Sequence, residues 1–441
     1  MTFELCRQKM LEAGLQSWQV DRFALDFERL RSGSGGTLAE SELIPVQQLP
    51  RLSALPTAEG CEALAQTAVI KLNGGLGTSM GLEIPKGLVE VRQGLSFLDL
   101  TRRQIETLRS QNSSPLPLLL MNSFHTRAAS LERLQGFSND GDLPLDFLQS
   151  KVPKLRQDNL EPVRYPHHPE LEWCPPGHGE IYAALRGEGM LDRLLAAGYR
   201  YAFVSNIDNL GATLDATLLN WFSQSGLDFA MEVTARTEQD KKGGHLARFA
   251  SGQLILRERS QCAAQDLAAF EDIERHRYFN TNNLWLRLEA LRDQPLPSLP
   301  LIINRKTVDP TEPTSTPVYQ LESAMGAALS AFSATQAIEV SRRRFLPVKT
   351  LGDLLLLRSD LYRLDERSQL QAVTAGPLPN VRLDSRFYST YEDFSRRFPV
   401  VPSLLECTSL EVRGDIHFGT GVRLQGPVEL SNPGPDPLHL P

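Results

Sequence analysis

Short apolar runs alternate with amphipathic segments through the middle of the chain, and this alternation constrains the fold more than any other feature. Residues 67–72, 117–121, 200–205 and 229–233 are four such runs. Each is short and apolar on both faces, which is the pattern of a buried strand. Residues 101–109 and 189–197 carry helical spacing and fall between the runs. Alternating strands and helices predict an α/β domain around a largely parallel sheet. Ligands of such sheets bind beyond the carboxyl ends of the strands, so the loops that follow these runs are the places to look for chemistry.

The two ends of the chain have other rhythms. Val20, Phe23, Ala24, Phe27 and Leu30 form one helical apolar stripe, and a Ser/Gly stretch follows at residues 32–36. Residues 1–60 therefore read as an N-terminal helical segment. Near the other end, Leu410, Ile416, Val422 and Val428 recur every six residues, and Val412, Phe418, Leu424 and Leu430 do so two places later. This is the hexad rhythm of a parallel β-helix, with a β-hairpin meander as the alternative. Val422 and Leu424 should point inwards and Arg423 outwards. So few hexads cannot bury a core alone, so the tail must pack on the α/β domain or on another subunit.

Charge and cysteine usage exclude several function classes. The 441 residues carry a net charge of −7, which argues against a nucleic-acid partner. A local basic pocket in an acidic protein still suits a small anion. The five cysteines have no paired spacing, so neither a disulfide framework nor a zinc site is expected, and the compartment should be reducing. No apolar run is long enough to span a membrane, and the N-terminus has no secretory pattern, which predicts a cytoplasmic protein.

The loop after the first run reads KLNGGLGTSMG, residues 71–81. Its glycines let backbone N–H groups approach and cradle phosphate oxygens. A dinucleotide fingerprint would need a small residue where Met80 stands, and the Gly-Lys-Ser/Thr of a nucleotide-binding P-loop is missing. Instead Pro85 and Lys86 follow, placing a compact positive charge beside the loop. Asp208, after the run 200–205, offers hard oxygen to a divalent cation, or an Asx turn that caps the strand.

These blocks occur in an order that closely resembles the eukaryotic-type UDP-glucose pyrophosphorylase family. The glycine loop and Pro85-Lys86 are followed by FLDL (97–100), MNSF (121–124), WCPPGHGE (173–180), DNLG (208–211) and KGG (242–244). FNTNNLW (279–285), QLESA (320–324) and RFLPVKT (344–350) complete the series. The resemblance covers roughly residues 65–430. It implies a nucleotidyltransferase α/β domain of the glycosyltransferase-A type with a mixed sheet, and a C-terminal left-handed parallel β-helix. The implied division is 1–60 helical, 61–340 catalytic, 341–400 catalytic-lysine segment and linker, and 401–441 tail.

The resemblance also implies a reaction: transfer of the uridylyl group of UTP to glucose 1-phosphate, with Mg²⁺. It assigns Leu72, Asn73, Gly74 and Gly75 to UTP, with Lys86 against the phosphates. Gln149 matches a uracil-reading glutamine, Gly177 a nucleotide contact, and His178 a sugar-phosphate contact. Asn206 and Asp208 match the ribose and metal segment, with Asp208 as metal ligand. Asn280, Thr281 and Asn282 match the glucose stretch, and Lys349 the catalytic lysine that also touches UTP. A homo-oligomer through the tail stays open. Two other readings stand beside this one: a pyrophosphorylase for another sugar 1-phosphate, and a non-catalytic nucleotide-sugar-binding regulator. Ile207 replaces a family serine, Glu180 an aspartate and Cys174 an aromatic. Cys174 reads as a packing change, because no base stands near it in sequence to activate it. Arg342, Arg343 and Arg344 read as a solvated charge patch unless the family match before Lys349 prevails.

Overall fold

The computed structural model describes residues 2–33, 36–58, 60–77, 80–82, 84–374 and 376–441. Ser34 and Gly35 of the Ser/Gly stretch, and Thr78 and Ser79 of the glycine loop, lie outside the described residues. Ten strands form the main sheet. They are β1 (Ile44–Pro45), β2 (Thr67–Asn73), β3 (Leu118–Asn122), β4 (Asp146–Leu148), β5 (Tyr201–Asn206), β6 (Phe229–Ala235), β7 (His245–Arg248), β8 (Leu254–Arg257), β9 (Tyr278–Arg287) and β10 (Thr335–Glu339). All four predicted runs are strands, within two residues at each end. The two predicted helices are Phe97–Asn112 and Met190–Ala196.

Only part of the sheet is parallel. β5, β2, β3 and β4 lie side by side in that order and run parallel, as do β6 and β10. The ten-residue β9 runs antiparallel between β5 and β6 and joins the two parallel sets into one mixed sheet. The expectation of a largely parallel sheet gives way here to the mixed sheet. The run 229–233 pairs with β9, whose polar sequence carries no strand signature.

This topology gathers one edge. β2, β3, β4 and β5 end together, with Leu72 facing Asn206, Asn73 facing Asn122, and Asn122 facing Leu148. Because β9 is antiparallel to β5, its amino end emerges at that same edge. β6 is antiparallel to β9 and β10 parallel to β6, so the chain leaving β10 starts from this edge too.

Alternation divides the core between the two faces of the sheet. Val69, Leu118, Leu120 and Phe203 pack with Phe97, Leu98 and Ile105 of helix Phe97–Asn112. Ile70, Leu119, Met121 and Val204 pack with the helices Ile181–Gly187 and Met190–Ala196 on the other. Helix Phe97–Asn112 starts at a reciprocal cap: Asp99 N–H donates to Ser96 Oγ at 3.2 Å, and Ser96 N–H donates to the Asp99 carboxylate at 2.8 Å. The N-terminal helices are Thr2–Glu12 and Ser17–Ser32, the second burying Val20, Phe23 and Phe27. Among the described residues that follow, Glu40–Glu42 and Leu52–Ala54 are single 3₁₀ turns, and β1 adds to the sheet beside β7.

The tail strands β11 (Asn380–Leu383), β12 (Ser403–Arg413), β13 (Ile416–Phe418), β14 (Arg423–Ser431) and β15 (Leu438–Leu440) pair in parallel. Leu410 faces Val428 three hexads later, a pairing that a hairpin meander cannot make. Leu410, Val412, Ile416, Phe418 and Leu424 are buried, Arg423 is exposed, and Val422 is half-buried rather than inside. The buried tail residues join the cluster that holds Leu354, Phe394 and Val69, so the tail is seated on its own chain. An aspartate at Ile416, which is 0% exposed, would bury an unpaired charge. Ile416→Asp should lower the melting temperature by several degrees in scanning calorimetry, and an unchanged melting curve would show that the tail core does not support the fold.

Candidate active site

The glycine loop begins at the end of β2, where the edge of the sheet is open. A Cβ built on Gly74 would stand 2.3 Å from Gln149 Nε2, so any side chain there would displace that amide. Gln149 follows β4, two strands away, and its N–H donates to Asn122 O at 2.9 Å. A Cβ on Gly75 would meet nothing within 4 Å, which leaves the next step of the loop open to a ligand. Leu72 is a buried strand residue whose carbonyl accepts from Ile207 N–H. Asn73 is buried and its amide donates to Asn122 Oδ1 and Ser130 Oγ, both at 2.8 Å. The Leu72 side chain is thus in the core, and the Asn73 side-chain NH2 is taken up by neighbours inside the fold.

Lys86 reaches the loop from the turn that follows it. Its N–H donates to Gly75 O at 3.1 Å, and its Nζ pairs with Asp208 Oδ2 at 2.5 Å. Both side chains are mostly buried, at 16% and 11% exposure. An ammonium and a carboxylate thus face each other where β2 and β5 end. Asn206 is the last residue of β5 and its carbonyl accepts from Asn209 N–H, closing the turn that carries Asp208. Ile207 is buried, with its Cγ1 3.3 Å from a Cβ built on Gly87. The isoleucine therefore packs against the Lys86 turn in place of a hydroxyl.

The turn 177–180 is fastened to QLESA. Gly177 has φ +82°, and a Cβ there would stand 2.5 Å from Ser323 O. Gly179 N–H donates to Ser323 O, and Ser323 N–H to Pro176 O, both at 2.9 Å. His178 Nδ1 accepts from Met325 N–H at 3.1 Å. That bond leaves the ring proton on Nε2, and burial pushes the imidazole down to about 4, so it is a neutral donor at pH 7.

At the amino end of β9, Asn282 has φ +57° and Asn280 Nδ2 donates to Asn282 Oδ1 at 2.8 Å. A Cβ on Gly326 would stand 2.8 Å from Asn280 Nδ2, so these two amides form one polar surface beside residues 325–326. Thr281 is different. Its hydroxyl donates to Glu232 O at 2.7 Å and it is 2% exposed, so it braces β6 from inside the fold.

Lys349 is aimed by the segment that follows β10. Asn209 Oδ1 accepts from Leu346 N–H at 2.8 Å, and Asn209 Nδ2 donates to Arg344 O at 3.1 Å, so the Asp208 turn holds this segment directly. Lys349 Nζ lies 5.8 Å from the ring centroid of Phe279, the residue before Asn280; burial raises the nearby Glu258 carboxyl, and the Lys349 charge opposes that rise.

Known proteins resemble this chain over most of its length. The family model described as UTP–glucose-1-phosphate uridylyltransferase matches residues 23–425. The chain belongs to that family. The UTP–glucose-1-phosphate uridylyltransferase of Saccharomyces cerevisiae is 38% identical over 431 residues, 97% of this chain and 83% of that one. A UDP-glucose phosphorylase structure from Trypanosoma brucei superposes with a TM-score of 0.92 at 42% identity, covering 100% of this chain and 97% of that chain. The UDP-glucose pyrophosphorylase of Leishmania major, known in open and closed structures, gives 0.91 at 42% identity over 100% of this chain and 97% of that one.

Within this uridylyltransferase family member, several supporting residues escape motif reading. Lys71, inside β2, is 3% exposed and donates from Nζ to Ser205 Oγ at 2.8 Å and Ala212 O at 2.9 Å. Burial pushes its ammonium down to about 7, and the nearby Arg344 adds to that. Arg344 itself is buried, with Nε and Nη2 each 2.7 Å from the carboxylate of Glu232, which also accepts from Asn283 and Trp285. Arg342 pairs with Asp240. Two arginines of the basic run are thus claimed by carboxylates, while Arg343 between them is exposed. Cys174 is buried among Cys6, Val152 and Leu155, and burial pushes its thiol up to about 12, in keeping with a packing role.

Proposed function

We propose that this protein transfers the uridylyl group of UTP to glucose 1-phosphate, giving UDP-glucose and pyrophosphate. The observation that carries the reading is the meeting of Gln149 over Gly74 with the Lys86–Asp208 pair, all at the open edge where β2–β5 end. The amide of Gln149 both donates and accepts, which suits the uracil edge. Loop N–H groups and Lys86 take the phosphates. His178, through Nε2–H, and the amides of Asn280 and Asn282 take the sugar phosphate.

The reaction needs no protein nucleophile. A phosphate oxygen of glucose 1-phosphate forms a bond to the α-phosphorus, and the bond from that phosphorus to the pyrophosphate oxygen breaks in line. Catalysis is then positioning and charge neutralisation of two anions. The donor chemistry fits Mg²⁺. Among the described residues no three His, Cys, Asp or Glu side chains gather as a metal cage, and Asp208 is a single hard carboxylate beside the phosphate loop. That is the protein share of a Mg²⁺ site completed by substrate phosphates and water. Bound there, Mg²⁺ would neutralise phosphate charge. We further infer that the tail is a short left-handed β-helix, on its parallel pairing and hexad burial. A cytoplasmic setting fits the five free cysteines and the absence, among the described residues, of a helix long and apolar enough to cross a membrane.

Pyrophosphate release with UTP, CTP and ATP, each against a panel of sugar 1-phosphates, tests the reading. A site whose polar groups pair with one base rejects the others by leaving those groups unpaired. UTP with glucose 1-phosphate should lead, and Gln149→Ala should weaken the preference for UTP. Equal turnover of all three nucleotides by the native protein would refute the assignment of Gln149.

A further inference from the structure

Glu180 is a buried carboxyl that the reaction does not use. It is 2% exposed, and burial pushes its pKa up to about 7. Ser150 Oγ donates to Glu180 Oε1, and it is the one hydrogen-bond partner of that carboxyl among the described residues. Ser150 is itself 3% exposed. The other charges that face Glu180 come from helix Ser17–Ser32. Arg22 favours the ionised carboxyl and Asp26 opposes it, and these two are paired with each other at 3.3 Å. Neither substitutes for the hydroxyl.

The bond joins two segments with different tasks. Ser150 directly follows Gln149, whose amide lies over Gly74. Glu180 directly follows the turn that presents Gly177 and His178, and its N–H donates to Gly177 O at 3.3 Å. On the Gln149 side, the main chain is held by Gln149 N–H to Asn122 O and, two residues on, by the pairing of Val152 with Cys174, which leaves the side-chain bond of Ser150 as the tie at the residue next to Gln149. On the Glu180 side, the turn is held firmly by Ser323 and Met325. A carboxyl buried this deeply costs stability unless its partner needs it. The partner here is the residue next to the base-reading amide.

We infer that Glu180 is a positioning residue for nucleotide selection: through Ser150 it latches the segment that carries Gln149 to the rigid 177–180 turn, and so holds the amide at the depth that accepts uracil. The ligand class concerned is the base of a nucleoside triphosphate, and the inference rests on the uridylyltransferase reading above. Glu180 touches neither substrate. Its effect belongs in how UTP is bound and told apart from other nucleotides, and not in the bond-making step.

The test compares Ser150→Ala, Glu180→Ala and Glu180→Gln with the native enzyme, using full chains checked by circular dichroism. KM for UTP, KM for glucose 1-phosphate, kcat, and the kcat/KM ratio of UTP to CTP are measured. Loss of the latch should raise KM for UTP roughly tenfold and lower the UTP-to-CTP ratio by a similar factor, with kcat and the KM for glucose 1-phosphate within about threefold of native. Glu180→Gln keeps an acceptor oxygen for the Ser150 hydroxyl and should restore most of the UTP-to-CTP ratio lost in Glu180→Ala. Ser150→Ala removes one oxygen atom, so it keeps the test open if Glu180→Ala does not fold. Native UTP affinity and native selectivity in Ser150→Ala would overturn the inference. So would a fall in kcat that parallels a rise in both KM values, or a Glu180→Gln enzyme no better than Glu180→Ala. Calorimetric titration of the native protein with UTP separates the two levels. No UTP binding overturns the uridylyltransferase reading together with the latch, whereas native binding with unaffected variants overturns the latch alone.

Discussion

Asp208→Ala should lower turnover at least ~100-fold, the scale on which removal of one charge-stabilising group is felt in a water-excluded site. Two losses combine in this variant. The carboxylate that would hold Mg²⁺ against the UTP phosphates disappears, and Lys86 loses its partner at 2.5 Å. Asp208→Asn separates the two, because an amide oxygen keeps a hydrogen bond to Lys86 while giving up the negative charge. If charge toward the cation is what matters, Asn should be nearly as poor as Ala. Lys86→Ala should instead raise KM for UTP, since an ammonium at the loop serves the bound triphosphate as well as the reacting one. Treatment with EDTA should abolish native turnover, and excess Mg²⁺ should restore it. Full turnover in EDTA would remove Asp208 and the cation from the mechanism.

The legible parts of this molecule share a physical reason. Strands β2, β3, β5 and β6 are buried on both faces, so their sequences are largely apolar runs that need no partner to be recognised. The glycine loop is legible because close approach excludes side chains, and Gly74 beneath Gln149 shows that exclusion at work. β9 was hidden for the opposite reason. Its FNTNNLW stretch is polar, and only in the fold do Asn283 and Trp285 find Glu232. Arg344 was obscured by its two basic neighbours, because the buried carboxylate that claims it lies in β6, far away in sequence. Lys71 read as the start of a loop motif, yet it ends inside β2 with neutral acceptors from β5 and the Asp208 turn. Bonds such as Ser150 to Glu180 depend on which loops share an edge, and that follows from strand order rather than from local pattern.

Lys349→Ala should lower kcat by roughly 10²–10³, or about 2.7–4 kcal/mol of transition-state stabilisation. The fold carries the argument for an aimed side chain. β10 ends at the reactive edge, Arg344 is fixed by Glu232, and Asn209 grips both Arg344 and Leu346. Lys349 N–H then donates to Asp353 Oδ2 at 2.9 Å, at the cap of the helix Leu351–Arg358. The backbone is thus held on both sides of Lys349, while its Nζ stands over the ring of Phe279, the residue before Asn280. Under the proposed reaction an ammonium here would meet the charge that builds as two anions converge on the α-phosphorus, and that charge is greater in the transition state than in either bound substrate. The loss should therefore fall on kcat, with UTP affinity less affected. Lys349→Arg should rescue only in part, because a planar guanidinium does not replace a compact ammonium. Arg344→Leu supplies a control of a different kind. It strips the buried Glu232 of its cation and should cost stability, on the order of 3–5 kcal/mol for a broken buried pair, whereas Lys349→Ala should melt as the native protein does. Steady-state kinetics in both directions, with melting curves for each variant, decide the matter. A folded Lys349→Ala enzyme with kcat within about threefold of native would take Lys349 out of the chemistry.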